Sequence, residues 1–333
     1  MNTSGFLGNA SEEVVAKIIA EATALEQVLD DQMRSQVRLV EEVGLHTLRA
    51  GGKRLRPALV SLAASSTGLP FEVERARKLG ACVEMIHMAT LIHDDVIDHA
   101  DTRRGRATAS AVFGNTAAIL SGDVLLAKAM QILAVDGDLE IIRRVSKVVV
   151  DLAEGEVREL ESRGEFELSE AEHREILKMK TATFIQVCCE LGGLIANAPQ
   201  TMVESLGSYG YHIGMAFQIA DDLLDYRGDQ VKTGKPQATD FREGCATLPL
   251  IYLRDLLTEE ERTFASGKFG NGVSDDEVRM ITGWMNERGA FAQAEAAARD
   301  HLATALNSLA ALPPTANRDL LGSVAEFVVT RQL

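Results

Sequence analysis

Apolar residues in this chain recur at helical spacing almost from end to end, and little interrupts them. Only seven prolines occur in 333 residues, and no Gly/Ser-rich or Pro-rich linker divides the chain. Repeats three and four residues apart place apolar side chains on one face of a helix. Ser11 ahead of Glu12 and Glu13 reads as an N-cap with an acidic first turn, followed by Val14, Val15, Ile18 and Ile19. The segment Ser169-Glu170-Ala171-Glu172 opens another helix the same way, with Ile176, Leu177 and Met179 behind it. Gly51-Gly52, Gly68-Leu69-Pro70, Gly192-Gly193 and Pro313-Pro314 read as breaks. The β-branched run Val148-Val149-Val150 lies inside a helical pattern that continues through Leu152 and Val157. Strand-like alternation between tight turns is nearly absent. The pattern predicts an all-α chain of about ten or more helices, organised as a single domain over residues 1–333.

Charge narrows the partners. A formal net charge of −15 repels nucleic acid and anionic membrane, so no nucleic-acid partner is expected. An anionic ligand then needs a local basic pocket or a metal ion. The four cysteines, Cys82, Cys188, Cys189 and Cys245, form no CxxC pair, which predicts reduced thiols in a cytoplasmic protein. The first residues lack the basic-then-apolar order of a signal peptide. Uncharged runs are broken by Gly, Pro, Ser and Asn, so no transmembrane segment is expected.

One stretch, HDDVIDHADTRRGRATA, concentrates both signs of charge. Asp94, Asp95 and Asp98 form DDxxD behind the apolar residues Met85, Ile86, Leu91 and Ile92. Positions i and i+4 share a helix face, so Asp94 and Asp98 project together, and His87 falls on the same stripe. Two carboxylates one turn apart repel unless a cation sits between them. Hard oxygen donors suit Mg²⁺, which takes a few carboxylates plus phosphate oxygens and water. Alone, one such motif reads equally as a solvated surface patch. It recurs, however, as Asp221, Asp222 and Asp225 in FQIADDLLD, with Gln218 one turn earlier. Both copies follow uncharged apolar helix, whereas a solvated face would alternate with Lys and Glu. On facing helices of a bundle they would clamp a polyphosphate through Mg²⁺. Two basic segments complement them: GGKRLRP, with Lys53, Arg54 and Arg56, and the run Arg103-Arg104-Gly105-Arg106. Arginine grips phosphate with a planar fork and lysine as a point charge. Lys180, in KMKTAT, reads as a mid-helix cation, a setting more often surface than ligand.

These motifs, in the order GGKRLRP, DDVID, GDVLLAKA, MKTATF, FQIADDLLD and GKPQATDFREGCATLPL, resemble the trans-polyprenyl diphosphate synthases, and the resemblance covers almost the whole chain. It implies an all-α bundle around a deep central cavity, usually as a homodimer. It implies Mg²⁺-dependent head-to-tail condensation of isopentenyl diphosphate with an allylic diphosphate. Asp94 and Asp98, supported by Asp95, would hold Mg²⁺ at the first motif, and Asp221, Asp222 and Asp225 at the second. Lys53, Arg56, His87 and Arg104 would hold the isopentenyl diphosphate. Arg103, Lys180, Thr181, Gln218 and Lys235 would contact the allylic substrate. The chain departs from many relatives at Cys245, in EGCAT, where they carry Lys; either the lost cation weakens allylic binding or alters preference, or the substitution is simply tolerated. A class I terpene cyclase would lack the basic isopentenyl diphosphate site, and a non-catalytic partner subunit tends to lose one acidic motif. A purely structural helical protein would leave the paired carboxylates uncompensated.

Product length in such enzymes depends on side chains just upstream of the first motif. Ala89 and Thr90 are small here, with Met85 and Ile86 one turn deeper. The resemblance then implies a product longer than farnesyl, a long chain for a quinone side chain rather than geranylgeranyl. Ala89→Phe is expected to shorten the product without abolishing turnover. Unchanged product length, read after dephosphorylation, would show that Ala89 does not line the path of the chain.

Overall fold

The computed structural model describes residues 12–228 and 237–330. Ser11 and Lys235 lie outside them. The described residues form sixteen α-helices, one π-helical turn, one 3-10 turn and a single two-residue hairpin, the all-α class expected. They divide into two compact units.

The first unit comprises the described residues of Met1–Ser146, Cys188–Val203 and Leu312–Leu321. Its helices include α1 (Glu12–Met33), α2 (Arg38–Arg49), α3 (Leu55–Ser66), α4 (Val73–Ile97), α5 (Ala109–Phe113) and α6 (Asn115–Asp136). Gly51-Gly52 and Gly68-Leu69-Pro70 do separate helices here. Helix α4 is the hub, packed against α1, α3 and α6. From Ala81 to Ile86 it is buried without interruption, the signature of a helix surrounded by others rather than lying on a surface. Leu59, Val60, Leu79, Val83, Met85 and Ile92 supply much of the core. Helix α6 is long and apolar enough to cross a membrane, which the broken uncharged runs did not suggest. Its Leu125, Ala129 and Leu133 are buried, and the Cys82 thiol of α4 donates to the Ala129 carbonyl at 3.4 Å.

The second unit comprises Lys147–Val187, Glu204–Ala311 and the described part of Gly322–Leu333. Its longest helix is α10 (Gln200–Arg227), which carries the second acidic motif. Ahead of it run α7 (Leu139–Ser162), α8 (Glu170–Leu177) and α9 (Thr183–Ile195); behind it come α11 (Thr239–Glu243), α12 (Leu248–Arg254), α13 (Glu259–Lys268), α14 (Asp275–Glu287), α15 (Ala290–Ser308) and α16 (Ala316–Thr330), of which the start of α7, the part of α9 from Cys188 onward and the start of α16 belong to the first unit. Ser169 caps α8 through a reciprocal box with Glu172, as its sequence predicts. Leu223, Tyr226, Phe241, Leu250, Met285 and Phe291 belong to one continuous core.

Gly192 and Gly193 do not break the chain as expected; both lie within α9. The reason is packing. A Cβ at Gly192 would stand 2.5 Å from the Ala64 nitrogen and 2.6 Å from the Val60 carbonyl of α3. The glycine lets two helix backbones touch, and rigid backbone cannot yield there. Gly192→Ala is expected to destabilise the protein by about 1–3 kcal/mol through overpacking. An unchanged urea midpoint would refute that close approach.

Candidate functional site

The first unit gathers the basic segments and the first acidic motif. His87, Met88, Leu91 and Asp95 of α4, Arg54 of the loop before α3, and Arg103 and Arg104 of the hairpin line one pocket, together with Glu84 and Gly51. The hairpin pairs Thr102 with Ala107 and Arg103 with Arg106. Its turn residues have positive φ, 54° at Arg104 and 73° at Gly105, the two-residue turn whose twist suits a hairpin. Arg104 therefore sits at the tip, where its Nη1 donates to the Gly51 carbonyl. The neighbouring Arg103 Nε donates to Asp95 Oδ1 at 2.7 Å, and Asp95 is buried. Asp95 thus anchors the hairpin to α4, which accords with a supporting place in its motif. Asp94 is half-buried and Asp98 is exposed at the C-cap of α4.

The three cations of GGKRLRP have different surroundings. Arg54 is 6% exposed. Its Nε donates to Glu26 at 2.7 Å, its Nη1 to Glu84 at 2.9 Å and its Nη2 to the Leu48 carbonyl at 2.8 Å. Burial opposes its charge, but the two glutamates outweigh burial and hold the guanidinium above its ordinary value. Arg54 is a structural ion-pair residue, not a ligand in waiting. Lys53 is exposed, and Arg56 is half-buried. Burial first, and then repulsion from Arg56, Arg104, Arg103 and Arg54, holds the His87 imidazole well below its usual value. His87 is therefore neutral at physiological pH and adds a hydrogen-bonding group without adding repulsion. Burial and the neighbouring Arg103 and Arg54 also lower Arg104, the electrostatic mark of a place that favours an anion.

In the second unit the sign reverses. Asp221 is exposed, and Asp222, 5% exposed, accepts a hydrogen bond on Oδ2 from His173 Nε2 at 3.0 Å. Asp225 accepts from the backbone amides of Thr239 at 3.1 Å and Asp240 at 3.0 Å. Burial pushes the Asp225 carboxyl up despite those amides, and Asp222 adds to the rise. Asp240 is pushed well above the carboxylate range by burial and then by Asp225, Asp222, Glu159 and Asp221. Carboxylates that raise one another's proton affinity favour a cation among them.

Thr181 and Gln218, both expected to touch the allylic substrate, do meet: Thr181 Oγ1 donates to Gln218 Oε1 at 3.0 Å. Lys180 lies not in α-helix, as its sequence suggested, but in a π-helical turn, Lys178–Ala182. Such turns insert one residue and re-aim side chains, often at functional sites. Its Nζ pairs with Glu156 and Glu159, each at 2.7 Å. Burial works against that ammonium, but the two glutamates outweigh it and raise its pKa. Beside the same glutamate, burial, Glu159 and Asp240 push the Cys245 thiol up to about 12. Sequence reasoning missed His173, Asp240, Glu156 and Glu159, because single charged residues at long separation carry no spacing signal.

Among the described residues no three His, Cys, Asp or Glu side chains stand close enough to hold a metal by themselves. The donor set fits Mg²⁺ all the same, since that ion takes one or two carboxylates and completes its shell with phosphate oxygens and water. Asp222, Asp225 and Asp240 are hard oxygen donors; Asp222 raises the proton affinity of Asp225, and both raise that of Asp240, the setting such an ion suits.

Residues 37–282 match the family model described as polyprenyl synthetase. The chain belongs to that family. It is 34% identical over 311 residues to the heptaprenyl diphosphate synthase component 2 of Geobacillus stearothermophilus, covering 93% of this chain and 96% of the relative. A decaprenyl diphosphate synthase from Rhodobacter capsulatus superposes with a TM-score of 0.91 at 34% identity, covering 97% of this chain and 99% of the other. A polyprenyl synthase from Caulobacter crescentus CB15, crystallised with calcium and isoprenyl diphosphate, gives a TM-score of 0.89 at 32% identity, covering 100% and 98%. The polyprenyl synthetase described here is accordingly a prenyltransferase.

Replacing Arg54 with Met would strand Glu84, itself 3% exposed. A loss of about 3–5 kcal/mol in unfolding free energy is expected, as for a buried pair stripped of one partner. Lys53→Met, at an exposed position, should cost no more than about 1 kcal/mol, the range of an exposed ion pair. Equal losses by urea unfolding would contradict the division of labour between these adjacent cations.

Proposed function

We propose that this prenyltransferase condenses isopentenyl diphosphate with an allylic diphosphate, head to tail, to give a long all-trans polyprenyl diphosphate. The reading is carried by the presence of a guanidinium-rich pocket beside one acidic motif and of a carboxylate cluster at a second. Arg56, His87 and Arg104, with Lys53, hold the diphosphate of isopentenyl diphosphate. Lys180, Thr181, Gln218, Arg103 and Lys235 hold the allylic diphosphate. Mg²⁺ would be held by Asp94 and Asp98 and by Asp221, Asp222 and Asp225, with Asp95 in support. When bound it neutralises the charge that builds on a departing diphosphate. The Caulobacter polyprenyl synthase, crystallised with calcium and isoprenyl diphosphate, supports a divalent cation and a prenyl diphosphate as ligands.

Each group of residues then has a distinct task. Fixed cations around the allylic diphosphate favour its departure and leave an allylic carbocation. Met88 and Leu91 present apolar surface in the pocket, which keeps water from a cation that it would trap. The isopentenyl double bond attacks, a proton is lost, and the released diphosphate accepts it, so no side-chain nucleophile is needed. His87, held neutral, orients a diphosphate oxygen by hydrogen bonding. His93 packs near Asp123, at 3.5 Å, and serves structure. Heptaprenyl and decaprenyl enzymes among the similar proteins support a long product. Buried Ala89, Met85 and Ile86 and half-buried Thr90 are proposed to set its length.

The active form is proposed to be a homodimer. Ile119, Leu120 and Val135 of α6 and Leu139 at the start of α7 are exposed, and a second copy of this apolar helix is the occupant that would cover them. A cytoplasmic location is proposed from the four free cysteines.

Incubation of the purified protein with labelled isopentenyl diphosphate, a series of allylic primers and Mg²⁺ tests the function. The expected result is a ladder ending at one long polyprenol after dephosphorylation, lost on chelation and in Asp94→Ala. A farnesyl-only product would overturn the chain-length reading. Hydrocarbon formed from an allylic diphosphate alone would replace the synthase with a cyclase.

A further inference from the structure

His173 is a buried imidazole that the reaction described above does not use. It is 4% exposed, and its only recorded polar contact is with Asp222, Nε2 to Oδ2 at 3.0 Å. The two residues come from different helices, α8 and α10. The approach of α8 is fixed at its start by the reciprocal Ser169–Glu172 cap. Immediately beyond α8, the π-helical turn brings Thr181 onto Gln218, one turn before Asp221 on α10. One continuous segment, residues 169–182, therefore touches α10 twice, at Gln218 ahead of the motif through Thr181 and at Asp222 within it through His173.

The motif needs such a hold. Asp221, Asp222 and Asp225 occupy three of five consecutive positions on one helix, and Asp240 repels them from outside it. Asp225 is tied by two backbone amides. Asp222 has no amide of that kind among its recorded bonds, and it is a buried carboxylate that needs a partner to stay ionised. Hydrogen-bonded partners behind metal-binding carboxylates fix their rotamers and set the affinity of the site.

We infer that His173 is a positioning residue for the second acidic motif: by holding Asp222 Oδ2 it fixes the carboxylate orientation that receives the metal–diphosphate of the allylic substrate. The inference rests on the reading of that motif as a metal–diphosphate site. It extends that reading to a residue that neither belongs to an Asp-rich motif nor touches substrate.

Two variants of similar polarity separate positioning from packing. Glutamine carries its amide nitrogen near the place of the histidine Nε2, whereas asparagine carries it near Nδ1 and falls short of Asp222. The probe is Mg²⁺ with inorganic diphosphate, followed by the rise in melting temperature that it produces and by titration calorimetry. His173→Gln is expected to bind as the parent does. His173→Asn is expected to bind about 10- to 100-fold more weakly, the usual cost of losing an outer hydrogen-bond partner of a metal site. In turnover, His173→Asn should raise KM for the allylic diphosphate and leave KM for isopentenyl diphosphate unchanged. Equal losses in both variants, including failure of both to fold, would assign His173 to packing and overturn the inference. Asp221→Asn serves as the reference. Weak binding by Asp221→Asn with parental binding by His173→Asn overturns the positioning role alone. Parental binding by both overturns the reading of the motif, and the positioning role with it.

Discussion

Like charges crowded at the ends of buried helices are the constraint on which this molecule depends. Water would screen them, but the helices that carry them are packed into protein, so each charge must be tied or balanced. The protein does both, and it treats the two signs differently. Among the arginines, the burden of structure falls on Arg54, which is absorbed by Glu26, Glu84 and a backbone carbonyl. Arg103 is tied to Asp95. Arg104, whose neighbours are largely other cations, stands where an anion is favoured. Among the aspartates, Asp95, Asp222 and Asp225 are each tied, while Asp98 and Asp221 are exposed. Those tied carboxylates fix how each acidic motif sits against its neighbours.

The backbone carries part of the cost of this arrangement. Arg54 and Arg104 both have left-handed conformations, with φ of 49° and 54°. Such conformations cost about 1 kcal/mol or more for a residue with a side chain. Glycine would relieve that strain and lose the guanidinium. At Arg104 the positive φ belongs to the hairpin turn, and at Arg54 the ion pairs with Glu26 and Glu84 offset it.

The fold class was legible because helical periodicity is local: Ser169 and Glu172 announce α8, and the apolar run through Val148–Val150 continues as α7. The acidic motifs were legible because each copy lies within five consecutive residues. Other features depend on geometry that a sequence does not show. Gly192 looks like a helix breaker until α3 is placed against it. The π-helical turn at Lys180 is a change of hydrogen-bond register with no distinctive residue. His173 and Asp240 join the second motif across 49 and 15 positions of chain respectively, and each looks like an isolated polar residue until the chain is folded. Nothing in the residues of GGKRLRP shows that Glu26 and Glu84 hold Arg54; those pairs span 28 and 30 positions of chain.

The central claim is that the two acidic motifs serve one chemical step. A double-mutant cycle on kcat/KM tests it most directly, with Asp94→Asn, Asp221→Asn and the combined variant, each checked for intact folding. Residues that act as a unit lose their effect together, so the double variant should be scarcely slower than the worse single one. Losses that simply multiply, each motif contributing independently of the other, would contradict the account.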